Sequence, residues 1–278
     1  MSTTSERTLG RAERVTIELP GQPIAAVASG PAGGPPVLMV PGFTGSKEDF
    51  GPILDPLGEA GLRAVAIDLP GQFESPGPDD PVAYAPERLG PLVCAVAARL
   101  GGPVRLLGHS FGGLVARAAV LSDATPFGSL VLLGSGPSAL PGERRERIER
   151  LEPLLATHDP AQLYAAVLAA ERAAPGHVPP DPETAAFLER RFLAGAPAML
   201  AGMGAALRTE PDRVAELAAA GLPTLVTCGE RDDAWPPELQ RDMAARLGAR
   251  YAVIPDAAHS PAVENPAGTV EVLLGFWR

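Results

Sequence analysis

Six short apolar runs, each cut off by a turn residue, constrain this chain more than any other feature. They are Val37–Val40 before Pro41-Gly42, Ala64–Ile67 before Asp68, Val104–Leu107 before Gly108, Leu130–Leu133 before Gly134, Thr224–Thr227 before Cys228-Gly229, and Tyr251–Ile254 before Pro255. Continuous apolar runs of four residues suit strands buried on both faces. Between them, Lys47–Ala60, Pro86–Leu100, Gly112–Leu121, Pro237–Leu247 and Asn265–Trp277 carry apolar residues at helical spacing. Strand–helix alternation of this kind predicts a parallel sheet covered by helices on both sides. Val15–Leu19 and Ile24–Ala28 flank Pro20-Gly21 and read as an opening hairpin. The expected class is therefore α/β, with a doubly wound, mostly parallel, eight-stranded sheet and ligands at the carboxyl ends of its strands.

The alternation stops between Pro137 and Asp212. Four helical patterns follow one another there, near Arg144–Leu155, Ala161–Ala173, Pro182–Leu193 and Pro197–Leu207. A strandless stretch between two strand–helix units predicts a helical cap inserted above the strand ends. The expected organisation is a core in two parts, 1–136 and 213–278, with the cap at 137–212.

Charge and cysteine content narrow the function classes. The formal net charge of −10 opposes binding to a phosphate backbone, so no nucleic-acid partner is expected. Arg144, Arg145, Arg147 and Arg150 alternate with Glu143, Glu146 and Glu149, the pattern of a solvated helix face with i, i+3 and i+4 pairs. The 31 glycines and 32 prolines lie between apolar segments and read as turns. Cys94 and Cys228 each sit in an apolar run, and two such cysteines make neither a disulfide framework nor a zinc site. Buried free thiols fit a reducing cytoplasm. The polar Met1–Arg14 segment lacks the apolar stretch of a secretory signal, and no apolar run reaches the length of a membrane span.

The sharpest chemical motif is Gly108-His109-Ser110-Phe111-Gly112, a G-x-S-x-G between an expected strand and an expected helix. Such a turn is tight enough to strain the serine backbone, and the flanking glycines leave room for close packing. Ser110 would then stand at a helix N-terminus, where developing negative charge is favoured.

A serine needs a base within hydrogen-bond reach. His109 would point away from Ser110 along the turn, and His158 and His177 fall in the cap as surface residues. His259 follows the last strand, on the same rim as Ser110, and is the candidate base. A base needs an acid to fix its tautomer. The loop Cys228-Gly229-Glu230-Arg231-Asp232-Asp233-Ala234-Trp235 offers Glu230, Asp232 and Asp233. Asp232 is favoured and Asp233 stands second.

With the order Ser…Asp…His on the page, the chain resembles the α/β-hydrolase superfamily, in the serine-nucleophile branch with a helical cap, from about Val15 to Trp277. Val40-Pro41-Gly42-Phe43, Asp68-Leu69-Pro70-Gly71, the serine turn, Gly229-Glu230-Arg231-Asp232 and Ala258-His259-Ser260-Pro261 carry the resemblance together. It implies Asp232 as the acid, since that residue ends the Gly-x-x-Asp pattern. It also implies an oxyanion hole made by the backbone N–H groups of Phe43 and Phe111. Many relatives carry His-Gly where this chain has Pro41-Gly42, and a proline has no N–H to donate.

The expected activity is hydrolysis of a carboxylic ester with a small or medium acyl group, through an acyl-enzyme on Ser110. A thioesterase or lactone hydrolase would use the same residues, because all three carbonyls pass through the same tetrahedral intermediate. A ligand-binding protein on this fold is the alternative from another class. Nothing in these motifs calls for a metal or an organic cofactor, and the partner is a small acyl substrate. Serine at the nucleophile position departs from the dehalogenase and epoxide-hydrolase branches, which place aspartate there. Met199 and Met203 in the cap, and Trp235 beside the acid loop, are candidate walls of the acyl site.

Overall fold

The computed structural model describes residues 9–155, 157–173 and 178–278. Eight strands form one sheet in the order β1-β2-β4-β3-β5-β6-β7-β8. They are β1 (Glu13–Leu19), β2 (Gln22–Ser29), β3 (Pro36–Val40), β4 (Arg63–Ile67), β5 (Val104–His109), β6 (Phe127–Leu133), β7 (Thr224–Gly229) and β8 (Arg250–Ile254). The hairpin β1–β2 adds to β4 in antiparallel sense, and β3 to β8 are parallel throughout.

Alternate side chains of the buried strands feed two separate cores, as the period of two requires. Val37 and Met39 of β3 face one core with Ile53, Leu54 and Leu57 of α1 (Gly51–Glu59) and Leu273 of α11 (Pro266–Trp277). Leu38 and Val40 face the other, with Val93 and Val96 of α2 (Pro86–Leu100) and Leu114 and Val115 of α3 (Phe111–Ser122). The second face also carries α8 (Val214–Ala219) and α9 (Pro237–Leu247), whose Leu217 and Met243 are buried there. A short helix α10 (Pro261–Glu264) leads into α11.

Between β6 and β7 lie α4 (Gly142–Leu155), α5 (Pro160–Arg172), α6 (Pro182–Ala194) and α7 (Pro197–Thr209), here called the cap. Their starts are set by local chemistry. Asp159 caps α5 and Asp181 caps α6, each followed by a proline at the first helical position. Only α7 is packed on several sides, and α4 has no buried residue. Ion pairs tie the cap to the rest of the molecule, from Arg144 to Asp233 at 2.7 Å and from Arg191 to Asp49 at 2.5 Å. At the end of α7, Glu210 meets Arg117 of α3 in a buried pair at 2.5 Å.

The chain leaves β3 towards β4 on one side and later returns to β5 on the other. The adjacent carboxyl ends of β3 and β5 thus form the topological switch point, where a crevice opens in sheets of this kind. Among the described residues, no helix is long and apolar enough to cross a membrane.

Candidate active site

Ser110 sits at the tip of the turn from β5 into α3 with φ 55° and ψ −122°, a conformation that an L-residue adopts only under constraint. The constraint is visible. The Ser110 N–H donates to Leu133 O at 2.9 Å, and the Ser110 carbonyl accepts from Gly113 N–H at 2.9 Å. A Cβ at Gly108 would be driven into the Gly112 backbone, and one at Gly112 into the Val40 carbonyl, so neither position tolerates a side chain.

The His259 ring closes over this turn from the loop after β8. Its Nε2 lies 2.9 Å from Ser110 Oγ, and its Nδ1 lies 2.9 Å from Asp232 Oδ1. Burial pushes the Asp232 carboxyl up, but the hydrogen bond from His259, with those from Ala234 N–H and Gln240 Nε2, holds it below the usual carboxylate range. An ionised carboxylate only accepts, so Nδ1 carries the ring proton, Nε2 is the acceptor, and the Ser110 hydroxyl donates to it. The Asp232 side chain is fully buried and that of His259 is 12% exposed. The row is thus shielded at one end and reachable at the other.

Asp233 points elsewhere. Its carboxylate takes a two-pronged hydrogen bond from Arg144 of the cap, at 3.0 and 2.7 Å, and half of its side chain is in solvent. Glu230 pairs with the adjacent Arg231 at 2.7 Å. Neighbouring residues of one loop therefore face opposite ways, and only Asp232 meets the histidine.

Phe43 follows β3 and Phe111 opens α3, so both stand beside Ser110. Neither backbone N–H finds an acceptor among the described residues. For Phe111 this follows from its place in the first turn of a helix, where no carbonyl lies four residues back along the spiral. The loop of Phe43 rests directly on the serine, since a Cβ on Gly42 would come within 3.0 Å of Ser110 Cβ.

A cavity of about 1000 Å³ lies among the cap helices and reaches the site at Phe43, while Ser110, Phe111, Asp232 and His259 do not line it. Phe43 and Thr44 are the contribution of the strand-end loops, and the rest comes from all four cap helices, including Leu151, Leu168, Phe192 and Leu200, and from Val178–Pro180. Met199, Met203 and Trp235, expected as walls, do not line it. The cavity face of α7 runs through Leu200, Gly204 and Arg208, one residue at every turn. Met199 and Met203 lie one residue round the helix, about 100° away, and are buried against the core instead. Trp235 is fully buried, with its indole N–H donating to Ser138 O at 3.1 Å.

Three buried polar residues support the row without having been singled out for it. Gln240, on the inner face of α9, donates to Asp232 Oδ2 at 2.9 Å and to Trp235 O at 2.7 Å. Gln72 donates to Gly42 O at 2.7 Å. His109, expected merely to point away from Ser110, donates from Nε2 to the His259 carbonyl at 2.7 Å and so holds that residue's main chain. Burial, followed by the neighbouring His259, drives His109 down to about 4, which keeps it neutral. None had a sequence signal, because each acts on a partner that only the folded topology brings near. His158 meets Thr157 on the surface, and His177 lies outside the described residues. Among the described residues, no group of three or more His, Cys, Asp or Glu side chains is placed to hold a metal ion.

Comparison with known proteins places this arrangement in context. The family model described as "Alpha/beta hydrolase family" matches residues 37–272. A 2-succinyl-6-hydroxy-2,4-cyclohexadiene-1-carboxylate synthase of Salmonella paratyphi C is 30% identical, over 94% of this chain and 97% of its own. Among solved structures, a thermophilic esterase from Thermogutta terrifontis superposes with a TM-score of 0.77 at 26% identity, covering 96% of this chain and 98% of its own. The enol-lactonase of Burkholderia xenovorans LB400 shares the fold, with a TM-score of 0.77 at 21% identity, over 95% of this chain and 99% of its own.

Proposed function

Because the chain belongs to the alpha/beta hydrolase family, we propose that it is a serine hydrolase that cleaves carboxylic esters of apolar acyl groups. The observation that carries this reading is the unbroken row Ser110–His259–Asp232, with two hydrogen bonds of 2.9 Å, at the switch point of the sheet. In the proposed reaction, His259 Nε2 takes the Ser110 proton as Oγ attacks the ester carbonyl carbon. The imidazolium that forms is stabilised by Asp232 through Nδ1–H. The tetrahedral oxyanion is received by the Phe43 and Phe111 N–H groups, each such donor being worth about 2.7–4 kcal/mol of barrier. Collapse expels the alcohol, which takes its proton from His259. Water then attacks the acyl-enzyme with His259 again as base, releasing the acid and restoring Ser110.

The acyl class proposed here rests on the cavity that Phe43 borders. Its walls are mostly aliphatic and aromatic, and of its three arginines Arg191 is paired with Asp49 and Arg208 with Glu152, both at 2.5 Å, while Arg172 makes no ion pair among the described residues. A carboxylate-bearing substrate, such as the name of the synthase relative suggests for that protein, would have Arg172 alone of these three to pair with. An uncharged acyl chain loses nothing in such a cavity and gains about 0.8 kcal/mol per buried methylene.

The test is a panel of p-nitrophenyl esters from acetate to decanoate, with an acyl thioester and a lactone alongside, run on the wild type and on Ser110→Ala. Turnover of medium-chain esters that vanishes in Ser110→Ala is the expected result. Preference for the thioester or the lactone would move the reading to those carbonyls with the machinery unchanged. Binding without turnover on every substrate would make the protein a receptor on this fold and overturn the proposal.

A further inference from the structure

We propose that Gln72 is the positioning residue that aims the Phe43 N–H into the oxyanion site, an inference that rests on the hydrolase reading above. Gln72 is 1% exposed and sits in the tight turn that follows β4. Both ends of its amide are committed. Oε1 accepts from Leu69 N–H at 2.9 Å, and Nε2 donates to Gly42 O at 2.7 Å. Turning the amide over would set its oxygen against the Gly42 carbonyl and its NH2 against the Leu69 N–H, so only this orientation is available.

What Gln72 grips is the peptide that links Gly42 to Phe43. A trans peptide is planar, with C=O and N–H pointing in opposite directions. Holding the Gly42 carbonyl towards Gln72 therefore turns the Phe43 N–H the opposite way, where it finds no acceptor among the described residues. The loop has reason to need holding. Thr44 is in the left-handed region at φ 58°, and Gly42 lacks a side chain to wedge it in place. Gly45 N–H also reaches Gly42 O, at 3.0 Å, but it belongs to the same loop and would move with it. Gln72 is the anchor from outside.

The rest of the turn is built to hold Gln72 still. Ser75 N–H donates to Gln72 O at 2.8 Å, and Ser75 Oγ donates to Asp68 O at 2.8 Å. Asp68 in turn takes the Lys47 N–H at 2.8 Å and the Lys47 ammonium at 2.7 Å, so the far end of the Gly42–Lys47 loop is pinned to the same element. Asp68 and Lys47 fix where the loop ends. Gln72 fixes which way its first peptide faces.

Gln72→Met removes the donor at nearly constant volume, and Gln72→Glu replaces it with an acceptor that becomes a donor again when protonated. Both are compared with the wild type and Ser110→Ala on p-nitrophenyl butyrate, together with the affinity for an alkyl boronic acid, whose serine adduct is tetrahedral. Gln72→Met is expected to lower kcat by about 10- to 100-fold and to weaken the boronic acid in proportion, with KM within about twofold. For Gln72→Glu, the ratio of its kcat to that of the wild type is expected to rise as pH falls, because the protonated carboxyl again accepts from Leu69 N–H and donates to Gly42 O. A merely structural role would leave that ratio flat with pH. Unchanged kcat in folded Gln72→Met, a loss confined to KM, or a flat ratio in Gln72→Glu would each overturn the inference while leaving the Ser110 chemistry intact. Wild-type turnover in Ser110→Ala would instead remove the hydrolase reading and this inference with it.

Discussion

Helix α3, beneath Ser110, and helix α4, which opens the cap, differ more than their similar lengths suggest. Ten of the twelve residues of α3 are buried, whereas none of the fourteen in α4 is. The first is clamped between the sheet and α2, so a strained serine at its start is over-determined by its surroundings. The second is held by its own i, i+4 ion pairs, by packing against α5 and α7, and by Arg144 reaching down to Asp233. Elements with little buried apolar surface open at low free-energy cost. The molecule thus separates a rigid platform, on which Ser110, His259 and Asp232 are held to hydrogen-bond distances, from a softer set of cap helices, here called the roof.

The hardest test of that division contrasts two adjacent aspartates. Asp232 belongs to the platform and meets His259, while Asp233 belongs to the roof's attachment and meets Arg144. Asp232→Asn is expected to lower kcat by about 10⁴-fold, since an amide no longer holds the histidine in the acceptor tautomer. Asp233→Asn should stay within about twofold. Steady-state kinetics on one ester decide it, and the reverse pattern would exchange the two assignments.

The platform and the roof also differ in how far they could be read from the chain. The strands are legible because burial on both faces leaves uninterrupted apolar runs, and the cap helices because their apolar residues recur at helical spacing. Helix α8 and the single 3-10 turn at Pro81–Tyr84 are too short to show a period, and the helical pattern over Lys47–Ala60 divides into a 3-10 turn at Lys47–Phe50 and helix α1. Within the site, Ser110 and His259 were marked by motif and by place after a strand, yet Asp232 and Asp233 stayed open until the directions of their side chains were known. Gln72, Gln240 and His109 had no sequence signature at all. Their partners are a loop carbonyl, a carboxylate eight residues away and the main chain of a residue 150 positions on, which no local pattern encodes.

His109 gives the platform a measurable pH signature. Its folded-state value of about 4 lies below the 6.5 of an unfolded histidine. The unfolded chain therefore binds a proton that the native one refuses, and the stability this residue contributes above pH 6.5 is lost as pH falls towards 4. Asp68 works in the opposite sense. Burial raises it to about 6, further raised by Glu48 and opposed by Lys47, so its native form takes up a proton first and gains stability over nearly the same window. His109→Gln keeps a donor for the His259 carbonyl and removes only the first slope. Relative to the wild type, the variant is expected to gain about 2 kcal/mol between pH 6.5 and pH 5 in urea unfolding. Parallel curves for the two proteins would show that His109 titrates normally in the fold.

The roof is sharpened by filling its cavity. Gly204 lies on the cavity face of α7, and a Cβ there would stand 3.4 Å from Ile148 Cγ2 and 3.9 Å from Phe43 Cζ, in ordinary contact. Gly204→Leu should therefore fit, occupy space beside Phe43 and shorten the longest acyl chain accepted. The expected change is about a tenfold fall in kcat/KM for the decanoate ester relative to the acetate, of the order that a few methylenes of pocket contribute. An unchanged chain-length profile would mean that the acyl group lies elsewhere.

The smallest effect should come from the tether itself. Arg144 and Asp233 make a two-pronged pair, but their side chains are 35% and 55% exposed, so water and salt screen the attraction. Arg144→Ala is expected to change global stability by less than about 1 kcal/mol. It should nevertheless speed amide hydrogen exchange in α4, because that helix has no buried side chain to hold it once the pair is gone. Raising the salt on the wild type should reproduce part of the change, and kcat on the acetate ester should not move. A fall in kcat as large as that of Asp232→Asn would mean that the roof's attachment reaches through the 232–233 peptide into the row, and the separation of platform from roof would fail at the one loop that serves both.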